Sequence, residues 1–317
     1  MRKINGVPVE AHTDLSSLTG GEVLKWSGTN MAWEDQDSTG FVPYSFQGSN
    51  YGYSSGGDGS NVIDKFSLSS DSAATDVGNL TASRKACSGH SSVTNGYGCG
   101  GYDGGNYRDD IDKFSFSSDG NATDVASLTV TMGYMAGQSS ETFGYTSGNL
   151  EQIDKFSFSA DANATNVGNL FLSRDYASGQ NSSEYGYTSG GHTSSDVDNI
   201  DKFSFSSDGN STDVGNLSVS RHAVSGQSAT DYGYASGGSS TNVIDKFSFS
   251  SDGNATDIAN LTVGRSYLAG QSSTTFGYTS GGGPSTTIDK FSFSSDIDAT
   301  DVEDLTVSRS HLAGSQY

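Results

Sequence analysis

The chain has 317 residues, of which 37 are acidic and 16 basic, and its formal net charge is −21. This balance excludes a nucleic-acid partner, because phosphate binding needs clustered Lys and Arg; no stretch reaches the roughly 18 apolar residues of a membrane span. Hydrophobic residues make up only 32%, but 16 Tyr and 16 Phe recur at fixed positions, which indicates a folded core rather than a disordered chain.

Residues 1–40 lie outside the repeats that fill the rest of the chain. Two short segments, Glu22–Trp26 and Met31–Glu34, flank a Ser-Gly turn and predict a β-hairpin. A single hairpin is marginal in isolation, so we expect it to dock on the main domain or on another protein. The first ten residues contain no apolar signal-peptide core, and we expect no Sec-type export.

Residues 41–317 contain six copies of Ile-Asp-Lys-Phe-Ser-Phe-Ser, the first with Leu68 in place of the second Phe. A Gly-Tyr-x-x-Gly-Gly stretch precedes each copy, except that the third ends in Gly148-Asn149. An Asp-rich turn, a short strand, an Arg and a run of small residues follow it. Each unit predicts four short strands, and six units predict an all-β, six-bladed β-propeller. The copies begin at Ile63, Ile111, Ile153, Ile200, Ile244 and Ile288.

The end of the chain repeats the innermost strand without the rest of its blade. The corresponding place before Gly52 is a poor copy that contains Pro43, and proline is disfavoured in a central strand. We therefore expect residues 311–317 to close the ring beside the first blade, which would otherwise have an open edge. The predicted domains are an N-terminal segment, 1–40, and a propeller, 41–317.

Two parts of the sequence resemble known families. The order of Arg, small-residue strand, Gly-Gly strand and Asp turn is similar to kelch repeats, although Val or Ile replaces the Trp expected after the turn. Residues 18–33, with Leu24, Trp26 and Trp33 around a Gly-Thr turn, resemble an element of tailed-bacteriophage structural proteins. That resemblance implies a virion protein, made in the host cytoplasm, oligomeric in the particle and attached to other virion proteins through these three side chains.

Length variation among the repeats is confined to one connection. Between Gly-Gly and Ile-Asp-Lys the residues number 5, 9, 3, 8, 5 and 5, whereas Ile to the following Leu is 17 in every copy. In a four-stranded blade this connection lies on the same face as the links between blades. One face is therefore predicted to be uniform and the other variable, and repeat proteins often bind ligands on such a face. Simple drift of the loops is the alternative reading.

The candidate ligand-binding residues come from the two longest connections, residues 102–110 and 192–199. Tyr and Arg are favoured at binding hot spots because they are large and amphipathic. The candidates are Tyr102, Tyr107, Arg108, His192, Asp196 and Asp198.

No catalytic or metal-binding pattern is evident, and we predict neither an enzyme nor a cofactor. The five histidines show no metal-ligand spacing, and His222, next to Arg221, is interpreted as ordinary variation within the repeat. The Asp-x-Asn-x-Thr-Asp turns lack the closing Glu of a calcium loop and are interpreted as plain turns. Cys87 and Cys99 face each other across a predicted hairpin, as buried thiols or as a cross-strand disulfide.

Together these features predict a tail-associated virion protein whose propeller contacts a glycan or a protein of the host surface, with glycans as the favoured ligand class. Two other functions remain open at this point. The protein could be a capsid decoration or tail spacer without a receptor, or a cellular kelch-type scaffold for protein–protein contacts.

Overall fold

The computed structural model describes residues 47–283 and 285–317 in full and the backbone of four strands near the N-terminus. The chain divides into two compact units, Met1–Tyr44 and Ser45–Tyr317. In the first unit β1 pairs with β2 and β3 with β4, both antiparallel, so the predicted hairpin is present. In this hairpin the backbone of Leu24 lies opposite that of Trp33. These strands are β1 (Lys3–Ile4), β2 (Val7–Pro8), β3 (Glu22–Trp26) and β4 (Met31–Asp35).

The second unit is a six-bladed β-propeller of four-stranded antiparallel blades, which confirms the predicted fold class. The first three blades use β5 (Tyr51–Ser55), β6 (Val62–Ser67), β7 (Thr75–Asn79), β8 (Ser88–Ser91), β9 (Asn95–Tyr102), β10 (Tyr107–Ser115), β11 (Thr123–Met132), β12 (Ala136–Ser139), β13 (Phe143–Ser147), β14 (Gln152–Ser157) and β15 (Thr165–Asn169). The last three use β16 (Ser178–Asn181), β17 (Tyr185–Ser189), β18 (Asn199–Ser204), β19 (Thr212–Asn216), β20 (Ser225–Ser228), β21 (Tyr232–Ser236), β22 (Val243–Ser248), β23 (Thr256–Asn260), β24 (Ala269–Ser272), β25 (Phe276–Ser280), β26 (Thr287–Ser292) and β27 (Thr300–Asp304).

The last strand, β28 (Ala313–Gln316), is the inner strand of the first blade. It pairs antiparallel with β5, and Ala313 lies opposite Ser55 and Gln316 opposite Gly52. The two ends of the repeat region therefore share one sheet, so β5 is paired on both sides and the first blade has four strands like the others. In the described part of the chain there is no helix long and apolar enough to cross a membrane.

The hydrophobic core lies between blades, where a tyrosine of one blade packs on two phenylalanines of the next. The ring of Tyr145 is buried, and its centroid lies 5.5 Å from that of Phe203 and 4.9 Å from that of Phe205. The glycine before each tyrosine is required by the same packing: a Cβ on Gly144 would lie 2.3 Å from the ring of Phe156. The aromatic residues that recur at fixed positions in the sequence are thus the residues that form the core.

At the axis the inner strands approach each other backbone to backbone. A Cβ on Gly179 would lie 2.1 Å from the carbonyl oxygen of Gly137, so no side chain fits there. Two small cavities of about 90 and 50 Å³ remain on the two sides of this glycine ring. The equivalent contacts, at 2.1–2.3 Å, are made by Gly89, Gly137, Gly226, Gly270 and Gly314.

Exposed ion pairs connect the blades on the side of the Asp-rich turns. Each repeat lysine contacts the first aspartate of the turn in the next blade, as Lys155 contacts Asp208 at 2.5 Å. The turns that resemble calcium loops therefore have this carboxylate paired with a lysine. The other pairs are Lys65–Asp119, Lys113–Asp161, Lys202–Asp252, Lys246–Asp296 and Lys290–Asp71.

Buried ion pairs anchor the links between blades. The aspartate of each Ile-Asp-Lys strand is fully buried, and in five blades it pairs with the repeat arginine. Met132, at the end of β11, stands where an arginine would pair with Asp154 of the third blade. Asp154 keeps the hydrogen bonds from the amide and hydroxyl of Thr129, which other blades also make, as Asp112 does with Thr81. No cation among the described residues pairs with Asp154. The five pairs are Arg84–Asp112, Arg174–Asp201, Arg221–Asp245, Arg265–Asp289 and Arg309–Asp64.

Candidate functional site

One face of the propeller, called the loop face here, carries the connections between the second and third strands of each blade and the links from one blade to the next. The opposite face carries the turns between the first and second strands and the Asp-rich turns between the third and fourth strands. The candidate ligand residues of blades 2 and 4 belong to the loop face, so the arrangement on that face decides which of them meet.

The backbone at the centre of the loop face is a closed ring of six hydrogen bonds. Each member stands two residues after the repeat arginine, or after Met132, and its amide donates to the carbonyl of the preceding member. The amide of Tyr176 thus donates to the carbonyl of Tyr134 at 2.8 Å. The other bonds, at 2.8–2.9 Å, run from Tyr134 to Ala86, Ala223 to Tyr176, Tyr267 to Ala223, His311 to Tyr267 and Ala86 to His311.

Four of these six residues are aromatic, and their rings meet over the axis. The centroids of Tyr134 and Tyr176 are 4.4 Å apart, and those of Tyr176 and Tyr267 are 5.7 Å apart. The circuit continues from Tyr267 to His311 at 3.8 Å and from His311 back to Tyr134 at 6.1 Å. We call these four residues the axial aromatic cluster. Their side chains are only partly buried, so the cluster presents ring surface to solvent.

The cluster stands on backbone that disfavours large side chains. The φ angles are 64° at Tyr134, 59° at Tyr176, 64° at Tyr267 and 60° at His311. This left-handed region costs a non-glycine residue roughly 1–2 kcal/mol. The equivalent residue has a positive φ in all six links, so this backbone conformation is part of the fold. The four rings lie outside the buried core, whose packing could otherwise offset the conformational cost. Strained backbone of this kind clusters at binding sites.

Three rings of the cluster are uncharged at neutral pH. Burial, followed by the charge of neighbouring tyrosines, raises the pKa of Tyr134 and of Tyr176. Burial also lowers the pKa of His311, although the Asp58 carboxylate acts in the opposite direction. The two phenol groups therefore keep their protons, and their hydroxyls are hydrogen-bonded to each other.

Residues 102–110 do not form the long loop that the sequence predicted. They extend β9 to Tyr102 and start β10 at Tyr107, and only a four-residue turn separates the two strands. The cause is the cross-strand pair of Tyr102 and Tyr107, whose ring centroids are 5.4 Å apart. Tyr107 is 44% exposed and lies 6.2 Å from the ring of Tyr134, so it adjoins the axial aromatic cluster.

Arg108 is engaged within the blade. Its Nε contacts Asp110, and its Nη1 lies 3.3 Å from Asp103. Asp110 is also 3.1 Å from Nη1 of the buried Arg84. The guanidinium charge of Arg108 is thus used inside the hairpin of blade 2, and of the three candidates in this segment the two tyrosines are the ones with available ring surface.

The second predicted segment brings two of its three candidates together with a histidine from the link between blades 4 and 5. Nδ1 of His192 lies 2.8 Å from Oδ1 of Asp196, and Nδ1 of His222 lies 2.9 Å from the same oxygen. The hydroxyl of Ser239 donates to the other carboxylate oxygen at 2.7 Å. Asp198 is not part of this group; its backbone carbonyl accepts the amide of Leu217.

Hydrogen bonds hold Asp196 in its ionised form. Burial raises its pKa, but the hydrogen bonds from His192, Ser239 and His222 outweigh burial and lower the pKa to about 2. The group is contiguous with the axial aromatic cluster, since the ring of His222 lies 5.6 Å from that of Tyr176 and 6.1 Å from that of Tyr267.

A cavity of about 510 Å³ opens on the loop face between blades 5 and 6. Its volume falls within the roughly 300–1,000 Å³ of small-molecule sites. Tyr267 forms part of its wall, so the cavity is continuous with the axial aromatic cluster. The lining also includes Arg265, which pairs with Asp289. Hydroxyl groups in the lining come from Ser240, Ser266, Ser285 and Thr287.

The cysteines take no part in this site. Cys87 and Cys99 are free and buried, and burial raises the pKa of both thiols, so neither is a reactive thiolate. The disulfide that the sequence left open is not formed.

Sequence reasoning missed the axial aromatic cluster and the role of His222. The position two residues after the repeat arginine, or after Met132, is Ala, Tyr, Tyr, Ala, Tyr and His along the chain. Aligning the six links by their arginines would have shown this change. For His222 no such signal exists, because its partner Asp196 lies in a different connection, between β17 and β18.

The chain matches no protein-family model and no curated protein. Its function is therefore argued from the geometry of the loop face.

Proposed function

We propose that this protein is a virion component of a tailed phage whose propeller binds a glycan of the host surface through its loop face, and that it acts by binding rather than by catalysis. The observation that supports binding is the axial aromatic cluster. Four rings at strained backbone positions present their surfaces at the centre of the face on which the repeats differ. In the other two links the same backbone position is occupied by Ala86 and Ala223, so the fold itself does not require an aromatic side chain there.

Aromatic surface and hydroxyl groups together favour a sugar as the ligand. The C–H face of a pyranose packs on a flat ring, while its hydroxyl groups need hydrogen-bonding partners. The rings of Tyr134, Tyr176 and Tyr267 provide the first, and the hydroxyl-lined cavity beside Tyr267 provides the second. Because the net charge of −21 repels polyanions, we expect the ligand to be a neutral glycan.

The assignment to a phage particle is supported by the resemblance of residues 18–33 to a virion element, and the kelch-like character of the blades by the order of their motifs. In this proposal Leu24, Trp26 and Trp33 attach the protein, as an oligomer, to other virion proteins. A capsid decoration or tail spacer is the second candidate, since a rigid disc without a receptor also suits such a role.

Removal of residues 1–40 tests the attachment. The truncated protein should fold, as judged by its circular dichroism and cooperative unfolding, but should be missing from purified particles. If the truncated protein still assembled into particles, the attachment role of these residues would be wrong.

Gold-labelled antibody against residues 41–317 on purified particles separates the two candidates. Label at the tail tip or fibres agrees with host recognition. Label over the head would make the protein a decoration, and particles without label would leave the phage assignment without support.

A further inference from the structure

We propose that His192, Asp196 and His222 form a binding site for a divalent transition-metal ion of the zinc class on the loop face. The site joins two blades, because His192 and Asp196 stand between β17 and β18 of blade 4, and His222 stands in the link to blade 5. This inference goes beyond glycan binding and depends on other residues.

The positions of the three donor atoms carry the inference. One imidazole nitrogen from each histidine and one oxygen of Asp196 all lie within 4.8 Å of one another. Zinc bonds of about 2.0–2.2 Å in a tetrahedral site place ligand atoms on the order of 3.3 Å apart. The two contacts to Asp196, at 2.8 and 2.9 Å, need to lengthen by only a few tenths of an ångström to admit an ion.

The donor set selects the class of metal. Two imidazoles with one carboxylate suit zinc and its neighbours in the first transition row, whereas calcium and magnesium prefer oxygen ligands. Three protein ligands also leave coordination positions open. The side chain of His192 is 40% exposed, so the open positions face solvent beside the axial aromatic cluster.

The ligands are held in place by their surroundings. Ser239 donates to the second oxygen of Asp196, and its amide donates to the carbonyl of His222 at 3.0 Å. The backbone of His192 exchanges hydrogen bonds of 2.8 and 3.0 Å with Asp175. Hydrogen bonds of this kind orient the residues that bind a metal, and their loss typically lowers metal affinity by about 10–100-fold. Three separate segments therefore converge on one point with little freedom to move.

The competing explanation is a purely structural cross-link, called a staple here. In it Asp196 accepts hydrogen bonds from both histidines, and no metal is bound. The two explanations differ in what added zinc does. A staple is complete without an ion, so zinc would neither bind at this site nor stabilise the fold.

Isothermal titration calorimetry of the full, tag-free, chelator-treated chain with zinc chloride tests the site. We expect one zinc ion per chain and no competition from calcium. His222→Ala and Asp196→Asn should each weaken binding by about 100-fold or abolish it, and Ser239→Ala should weaken it about tenfold. His311→Ala is the matched control, since His311 is also on the loop face and also near an aspartate, Asp58; it should bind zinc like the parent protein.

A second readout keeps the test valid if a variant unfolds. Cobalt bound at this site should give the visible absorption of a four- or five-coordinate ion, and His192→Ala, which alters the most exposed ligand, should remove it while the far-ultraviolet circular dichroism stays unchanged. Absence of zinc binding by the parent protein, or binding that His222→Ala leaves undiminished, would overturn the proposal. No glycan enters either measurement, so failure of the metal site and failure of glycan binding are distinguishable.

Discussion

The ring of Tyr267 stacks on the imidazole of His311, with 3.8 Å between the centroids and 20° between the planes. The same two residues are joined by a backbone hydrogen bond of 2.8 Å, which belongs to the ring of six around the axis. Tyr267 also borders the hydroxyl-lined cavity between blades 5 and 6. It thereby connects the aromatic centre of the loop face with a space large enough for a sugar.

The two neighbouring candidates in blade 2 should behave differently on substitution. Tyr107→Ala removes exposed ring surface beside Tyr134, and we expect adsorption of particles to cells to weaken about tenfold or more. Arg108→Ala removes a guanidinium that is already paired within the hairpin, and we expect up to about 1 kcal/mol of lost stability with adsorption nearly unchanged. Equal adsorption by both variants and the parent would show that blade 2 takes no part in recognition.

Acid should destabilise the propeller through His90. Burial lowers the pKa of His90 to about 4, although a hydrogen bond with the carbonyl of Gln138 acts in the opposite direction. In the unfolded chain the pKa is about 6.5, so between these values the unfolded state binds more protons than the folded one. The stabilising contribution is complete above pH 6.5 and is lost as the pH falls toward 4, by roughly 3 kcal/mol.

His90→Gln isolates this contribution, because glutamine occupies the equivalent position in four blades, as in Gln138 and Gln180. Urea unfolding at about pH 7 and about pH 4 should show a smaller loss of stability for the variant than for the parent. An identical pH dependence of the two proteins would mean that the His90 imidazole is protonated in the fold at no cost.

The glycine ring at the axis should be intolerant of a single methyl group. Gly179→Ala would place a Cβ 2.1 Å from a backbone oxygen of Gly137, which only a movement of a whole inner strand can relieve. We expect a loss of about 3 kcal/mol or a failure to fold. Gly120→Ala, whose Cβ meets no heavy atom within 4 Å, is the matched control and should unfold within about 0.5 kcal/mol of the parent. Equal unfolding free energies for the two variants would contradict the close approach of the strands.

Buried and exposed ion pairs should contribute very differently to stability. Arg221→Met leaves the buried Asp245 without its cation, and we expect a loss of about 3 kcal/mol in the free energy of unfolding. Lys202→Met breaks an exposed pair with Asp252 and should cost no more than about 1 kcal/mol. The chain offers a natural reference in Met132, which already stands where an arginine would pair with Asp154. A cost for Arg221→Met no larger than for Lys202→Met would show that the hydroxyl and amide of Ser218 satisfy Asp245 alone.

The blades could be predicted because their motifs repeat. Gly-Tyr sets each tyrosine against the phenylalanines of the next blade, and Ile-Asp-Lys alternates across a strand, so strand number and order follow from the spacing. The concentration of length variation in one connection also identified the face that carries the candidates.

The geometry of the candidate site could not be predicted from the sequence, although an alignment of the six links shows which positions hold its aromatic residues. The left-handed backbone of Tyr134 and Tyr267 has no local signal, since neither residue is glycine or asparagine. The meeting of Asp196 with His222 depends on the angle between two blades, which no spacing in the chain records. In blade 2, a tyrosine pair converted an expected loop into longer strands, because cross-strand pairing outweighed the glycines between them.

The most direct test of the central claim is a glycan array probed with residues 41–317. The parent protein should bind at least one neutral surface glycan, and the triple variant Tyr134→Ala, Tyr176→Ala, Tyr267→Ala should lose that binding. The control variant is Tyr232→Ala, which removes an exposed tyrosine ring from the opposite face and should retain the binding. Tyr232 is 40% exposed and lies beside Lys246. Binding by the triple variant equal to that of the parent, or loss of binding only in the control, would contradict recognition through the loop face.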